Sequence, residues 1–162
     1  MKPFIFLIAF AALFSACGPD YLYEQHTEVP NAQWAYRDSM DFSFRIEKTD
    51  ALYNLYLEFV HADTFATQNI YVQLHTRFPD GKTLKKTISF DLFDEKGAPK
   101  GDCSSGKCAD RILIQQDAFF ETPGEYRIVV EQYTRTERLP GIYGVGLMVE
   151  KTEKTKDGQK KS

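Results

Sequence analysis

The sequence predicts an all-β fold: a single antiparallel β-sandwich, jelly-roll-like, of seven to eight strands. Three observations predict it. Apolar and polar residues alternate with period 2 in one segment after another, and no segment of the body keeps a helical period for ten residues. Pro and Gly punctuate these segments, at Pro79-Asp80-Gly81 and again at Pro123-Gly124. The chain of 162 residues, 43% hydrophobic and 14% aromatic, suffices for one core but not for two. Four regions follow: a signal peptide over 1–16, a lipidated extended lead-in over 17–40, the β-sandwich over 41–150 and a disordered basic tail over 151–162.

The first region is processing rather than fold. Lys2 supplies the only charge ahead of an apolar stretch at 4–14, FIFLIAFAALF. Eleven residues are too few to span a bilayer but suit the hydrophobic region of a secretory signal. Ser15 and Ala16 stand directly before Cys17, and together they resemble the lipobox of bacterial lipoproteins. Phe14 departs from it, since Leu is commonest three places before the Cys. In that chemistry the Cys17 sulfur takes a diacylglycerol, the chain is cut before it, and the new amine usually takes a third acyl chain. Each buried CH₂ contributes about 0.8 kcal/mol, so two or three chains hold a protein on a membrane durably. A lipidated Cys17 leaves Cys103 and Cys108, an even pair for an oxidising compartment.

The body is read strand by strand. Residues 41–47 place Phe42, Phe44 and Ile46 on one side; 52–60 place Tyr53, Leu55, Leu57 and Phe59 there. Residues 70–78 turn Ile70, Val72, Leu74 and Phe78 inward. After the Pro79-Asp80-Gly81 turn, 83–93 return with Leu84, Ile88, Phe90 and Leu92 on a common face. Residues 111–115 form a short strand. Residues 125–133 bury Tyr126, Ile128 and Val130, and 143–150 close the body with Val145, Leu147 and Val149. The lead-in is expected to end in a packed turn around Trp34 and Tyr36.

Charge and motif narrow the function. Without Lys2, 19 Lys and Arg stand against 23 Asp and Glu, a net of −4, which gives no basic footprint for nucleic acid. The tail KTEKTKDGQKKS holds five Lys against two acids and reads as a solubilising end. Cys103 and Cys108, four residues between them, are taken as a disulfide over two free thiols or a metal or redox pair; zinc wants a second pair of ligands, and redox motifs have two intervening residues. His26, His61 and His75 lie on separate segments without ligand spacing and read as surface or strand-face residues. Asp91, Asp94 and Glu95 lack an EF-hand spacing. No nucleophile elbow, HExxH helix or phosphate loop is present. The reading is therefore no enzyme, no cofactor and no metal. The candidate partner contacts are Tyr56, Tyr71 and Arg135, outward aromatics and a polar loop. An outward aromatic row also admits an alternative, a carbohydrate-binding lipoprotein with an aromatic-lined sandwich face.

Three stretches carry a family resemblance. The first has Tyr23-Glu24, Val29-Pro30, Trp34, Tyr36, Asp38 and Phe42. The second has Tyr53, Asn54, Tyr56, Leu57, His61, Asn69, Ile70, Tyr71 and Pro79-Asp80-Gly81. The third has Gly124, Tyr126, Glu131-Gln132, Arg135, Leu139-Pro140-Gly141, Val145-Gly146-Leu147 and Glu150-Lys151. In order and spacing these resemble the gliding-motility lipoprotein GldH family of Bacteroidetes. Residues 94–110 depart, holding the Cys pair where a Gly- and Trp-rich stretch is expected. The resemblance implies an accessory lipoprotein of the gliding machinery, linked to type IX secretion, that binds other envelope proteins and has no catalytic residues. The residues after Cys17, Gly18-Pro19-Asp20-Tyr21, lack the acidic surface-export signal of such bacteria. The expected location is a periplasm-facing anchor, on the outer membrane rather than the inner.

Overall fold

The computed structural model describes residues 19–159. The signal segment, Cys17 and the last three tail residues lie outside the described residues. Eleven strands form: β1 (Tyr21–Glu28), β2 (Gln33–Ala35), β3 (Met40–Ile46), β4 (Ala51–Ala62), β5 (Asn69–Arg77), β6 (Thr83–Asp91), β7 (Asp102–Ser104), β8 (Lys107–Ala118), β9 (Gly124–Gln132), β10 (Arg138–Pro140) and β11 (Ile142–Thr155). Seven to eight were expected; those beyond the seven segments read from the sequence are β1 and the three-residue strands β2, β7 and β10. The last three sit in loops too short to show alternation.

The eight longer strands divide into two antiparallel sheets, β1-β11-β4-β8 (with β7 at its edge) and β3-β9-β5-β6. That order is the connectivity of a jelly roll, in which successive long strands alternate between the two sheets except at the β5–β6 hairpin. The expected class holds. The lead-in does not stay outside the domain: Tyr21–Glu28 pairs along β11, from Tyr21 opposite Glu150 to Glu28 opposite Gly144. A turn of 3-10 helix at Pro30–Ala32 then leads into β2, which pairs with β10. At the other terminus β11 continues through the basic segment to Thr155, and a one-turn helix follows, Lys156–Gln159. Alternation is weak in both stretches because edge and end strands keep much of their surface in water.

Residues of even and odd number separate as a pleated strand requires. Phe42, Phe44 and Ile46 of β3 meet Leu55, Leu57 and Phe59 of β4 and Leu147 and Val149 of β11 across the core, all buried. One end is closed by an aromatic plug. Phe120 lies 4.7 Å from Tyr126, edge to face, and Phe44, Tyr53 and Phe78 pack around them. Such pairs contribute about 0.5–1.5 kcal/mol each beyond their burial. Buried Tyr hydroxyls need acceptors, and Tyr126 donates to the Thr122 carbonyl while Tyr53 donates to that of Lys48. Leu84, expected to point inward, is 55% exposed, because β6 is the edge of its sheet and nothing covers its near end.

The sandwich has two distinct ends. The Asp20 carbonyl accepts from Lys151 N, so the chain enters and its C-terminal segment leaves at the same one. The β3–β4 loop, the Pro79-Asp80-Gly81 turn and Phe119 share that end, and Gly81 supplies the positive φ of its turn. The opposite end carries the turn after β1, the loops at 63–68, 92–106 and 133–137, and β2 paired with β10.

Candidate functional site

The structure separates the expected contact residues into two places. Tyr56 lies on the outer face of the five-stranded sheet. Tyr71 and Arg135 come together in a groove at the end away from Asp20. Cys17 lies outside the described residues. Cys103 and Cys108 are joined by a disulfide, opposite one another in the β7–β8 hairpin. Ser105 and Gly106 close that hairpin with positive φ at both positions, 52° and 78°, the tight turn whose twist suits paired strands.

The outer face of the five-stranded sheet is ordered in rows. One row runs Glu24, Met148, Tyr56, Leu113 across β1, β11, β4 and β8. The next runs His26, Gly146, Glu58, Arg111. Tyr56 donates to Glu150 Oε2 at 2.8 Å, and Asn54 Nδ2 reaches the same oxygen at 3.1 Å. Burial first, and the bond to that carboxylate second, push the Tyr56 hydroxyl above its ordinary value. Arg111 reaches Glu58 Oε2 at 3.2 Å and the Tyr21 hydroxyl at 2.8 Å. His26 lies over Gly146, where a Cβ would stand 2.5 Å from its Nδ1, and approaches Glu58 at 3.2 Å. Leu113 is 43% exposed beside Tyr56, so an apolar centre is framed by charges.

The groove at the far end is built around a buried Gln. On β9, the inward alternation Tyr126, Ile128, Val130 continues to Gln132, which is buried. Its Nε2 donates to the carbonyls of Thr136 at 2.9 Å and Glu137 at 3.3 Å, and its Oε1 accepts from the N and Oγ1 of Thr134. One side chain thus fixes the loop that presents Tyr133 and Arg135. Tyr133 N donates to the Tyr71 carbonyl, and the Tyr36 hydroxyl donates to that of Thr134 at 2.6 Å. The resulting groove has a volume of about 950 Å³.

A second buried polar centre is His61, expected at a surface and found fully buried. It extends the inner face of β4 past Phe59 and lies between Phe65 and Phe93. Nδ1 donates to the Ala62 carbonyl at 2.7 Å, which can only accept. Nε2 faces Asp110 Oδ2 at 2.7 Å, and one proton joins them. Both nitrogens are committed to the fold, so His61 has none left to serve as a base. His75 bonds Glu131 at 3.0 Å on the outer face of the other sheet. No three His, Cys, Asp or Glu residues among the described ones converge as metal ligands, Asp91, Asp94 and Glu95 included. No described helix is long and apolar enough to cross a membrane.

Alternation points to both buried centres. The inward positions 53, 55, 57, 59 lead to 61, and 126, 128, 130 lead to 132. A polar residue at the end of an inward series marks a partner that must be found elsewhere in the chain. Leu113, Tyr36 and Tyr133 carry no such mark. Their exposure depends on which strands lie at edges and where loops fold back.

What the fold and these surfaces define is a jelly-roll domain with a row around Tyr56 on the outer face of one sheet and a tyrosine-lined groove at its far end. The family model of the GldH lipoprotein matches residues 21–149, nearly the whole described domain. The chain belongs to that family. It is 23% identical over 159 residues to a gliding motility lipoprotein GldH homolog of Christiangramia forsetii, covering 93% of this chain and 95% of the relative. With the gliding motility lipoprotein GldH of Flavobacterium johnsoniae it shares 22% over 156 residues, covering 92% and 96%. Among solved structures it is similar to a non-crystalline cellulose specific carbohydrate-binding module, with a TM-score of 0.40, 11% identity and coverage of 78% and 70%. A second is the VP2 subviral particle of infectious bursal disease virus, at a TM-score of 0.35, 10% identity and coverage of 80% and 30%.

Proposed function

We propose that this protein is held in the cell envelope by acyl chains on Cys17, facing the periplasm from the outer membrane. There it serves the gliding machinery and its linked type IX secretion by binding another envelope protein, without chemistry of its own. Family membership supports the setting. The observation that carries the binding role is the Tyr56 row: an exposed Leu113 and a half-buried Tyr56, framed by Glu150, Glu24 and Arg111. An apolar centre with aromatic and Arg neighbours and a charged rim is the anatomy of a protein interface. The face rests on strand β4, paired on both sides, so it is rigid before a partner arrives.

The anchor keeps this face close to the bilayer. Two residues, Gly18 and Pro19, separate Cys17 from Asp20, a reach of about 10 Å. The face therefore stands beside the membrane, and confinement there raises its effective concentration for membrane-bound partners. A photo-crosslinking residue at 113 tests the role in a gliding host. An envelope protein crosslinked at 113 and lost in Leu113→Glu, with slowed spreading, supports it. Normal spreading of a Leu113→Glu strain that makes normal amounts of folded protein refutes it. Cys17→Ser tests the anchor separately, by moving the protein from the membrane to the soluble fraction.

A further inference from the structure

We propose that the groove at the far end is a saccharide-binding site that takes a chain of pyranose rings. It is separate from the Tyr56 face and does not depend on that face's role. Three Tyr rings open into it, Tyr36, Tyr71 and Tyr133, at 46%, 47% and 57% exposure. Exposed aromatic rings are normally scattered, and three in one groove mark a binding surface. Each offers a flat apolar platform of the kind that the C–H face of a pyranose covers.

The rest of the lining suits hydroxyls. Asn69, Thr87 and Thr136 supply neutral groups that donate and accept, the Thr67 hydroxyl, which donates to the Asn69 carbonyl, can still accept, and Arg135 is the one charged residue. Arg135 makes no ion pair or side-chain hydrogen bond among the described residues. A free guanidinium at the rim can take two sugar hydroxyls or a uronate carboxylate. The volume, about 950 Å³, lies near the top of the range for small-molecule sites, room for an oligosaccharide.

Two features favour a sugar over a peptide. Tyr71 sits on β5, which is bonded to β6 on one side and to β9 on the other, so the floor offers no free strand edge for an added strand. The only aliphatic side chain in the lining, Leu139, is nearly buried, so there is no apolar pocket for a hydrophobic anchor residue. The groove is also set in advance. Gln132 fixes the 133–137 loop from below and Tyr36 is tied to it from above. A site whose rings are already placed loses little freedom on binding.

The test uses the full lipoprotein in detergent micelles against oligosaccharides of two kinds, neutral (β-glucan, xylan and mannan) and uronate (alginate and polygalacturonate), by calorimetric titration. Binding of either kind is expected. Tyr71→Ala and Tyr133→Ala should each weaken it about tenfold, and the double variant should abolish it. Tyr133→Phe should retain it, because the ring rather than the hydroxyl is the platform. Arg135→Gln should weaken uronate binding more than neutral binding if the site takes acidic sugars, and equally if it takes neutral ones. All the substituted side chains are exposed, so unchanged melting temperatures separate lost binding from lost fold. The proposal is overturned if the wild type binds no member of the panel, or if the double variant binds as the wild type does.

Discussion

Replacing His61 by Leu should unsettle the sandwich more than its single lost side chain suggests. Asp110 is almost wholly buried, and His61 Nε2 at 2.7 Å is its partner. Leu keeps most of the volume between Phe65 and Phe93, so the cavity contribution is small. What remains is the Asp110 side chain buried in the core without its partner, and breaking a buried pair in this way costs about 3–5 kcal/mol, against a total stability of about 5–15 kcal/mol for a domain of this kind. Asp110→Ala leaves the buried ring nitrogen Nε2 unpaired instead, at about 1–3 kcal/mol. The double variant removes both polar groups together and should cost much less than the sum, leaving a coupling of about 3 kcal/mol. Trp34, the only Trp in the chain, is buried near the same end and reports unfolding by fluorescence in guanidinium chloride. If the two single costs add to within about 0.5 kcal/mol of the double, the buried pair is not an energetic unit and the reasoning fails.

Other outcomes follow from the same geometry. Gly101→Ala would place a Cβ 2.3 Å from the Ala109 carbonyl oxygen, so the 92–102 loop must lift; a loss of about 1–3 kcal/mol is expected in a denaturant titration. Opening the disulfide by Cys103→Ala should cost about 2 kcal/mol, since a closed loop this short restricts the unfolded chain only modestly; a change below 0.5 kcal/mol in thermal unfolding would contradict that. Gln132→Ala should lower stability by about 2 kcal/mol and speed amide exchange at Thr134, leaving exchange in β4 unchanged. Burial raises the hydroxyl pKa of Tyr23, Tyr53, Tyr56 and Tyr126 above the ordinary 10.0. The folded state thus holds these protons longer than the unfolded chain, so their contribution is intact below pH 10 and declines as pH rises through the folded values. An ultraviolet titration of tyrosinate should show these four ionising late, with unfolding at the alkaline limb.

The jelly roll was legible because its inner strands are half-buried and therefore alternate. Phe42, Phe44 and Ile46, or Leu55, Leu57 and Phe59, state their face directly. β1 was not legible. Tyr21–Glu28 is an edge strand with most of its residues in water, and its pattern is that of an extended linker. β7, β2 and β10 are three residues long, shorter than any periodic signal. Of the contact candidates, Tyr71 and Arg135 are far apart in sequence and meet only because β5 and β9 are neighbours. Tyr56 could be placed on an outward face, but its tie to Glu150 depends on the β4–β11 register, and sequence does not supply register.

The position of β1 has a mechanical consequence. It lies on the rim of its sheet, bonded to β11 alone, and it is the first strand after Asp20. Tension transmitted through an anchor at Cys17 would pull along this strand rather than away from it. Its ladder to β11 is then loaded in shear, with the rungs from Tyr21 to Glu28 resisting together instead of parting one at a time like a zip.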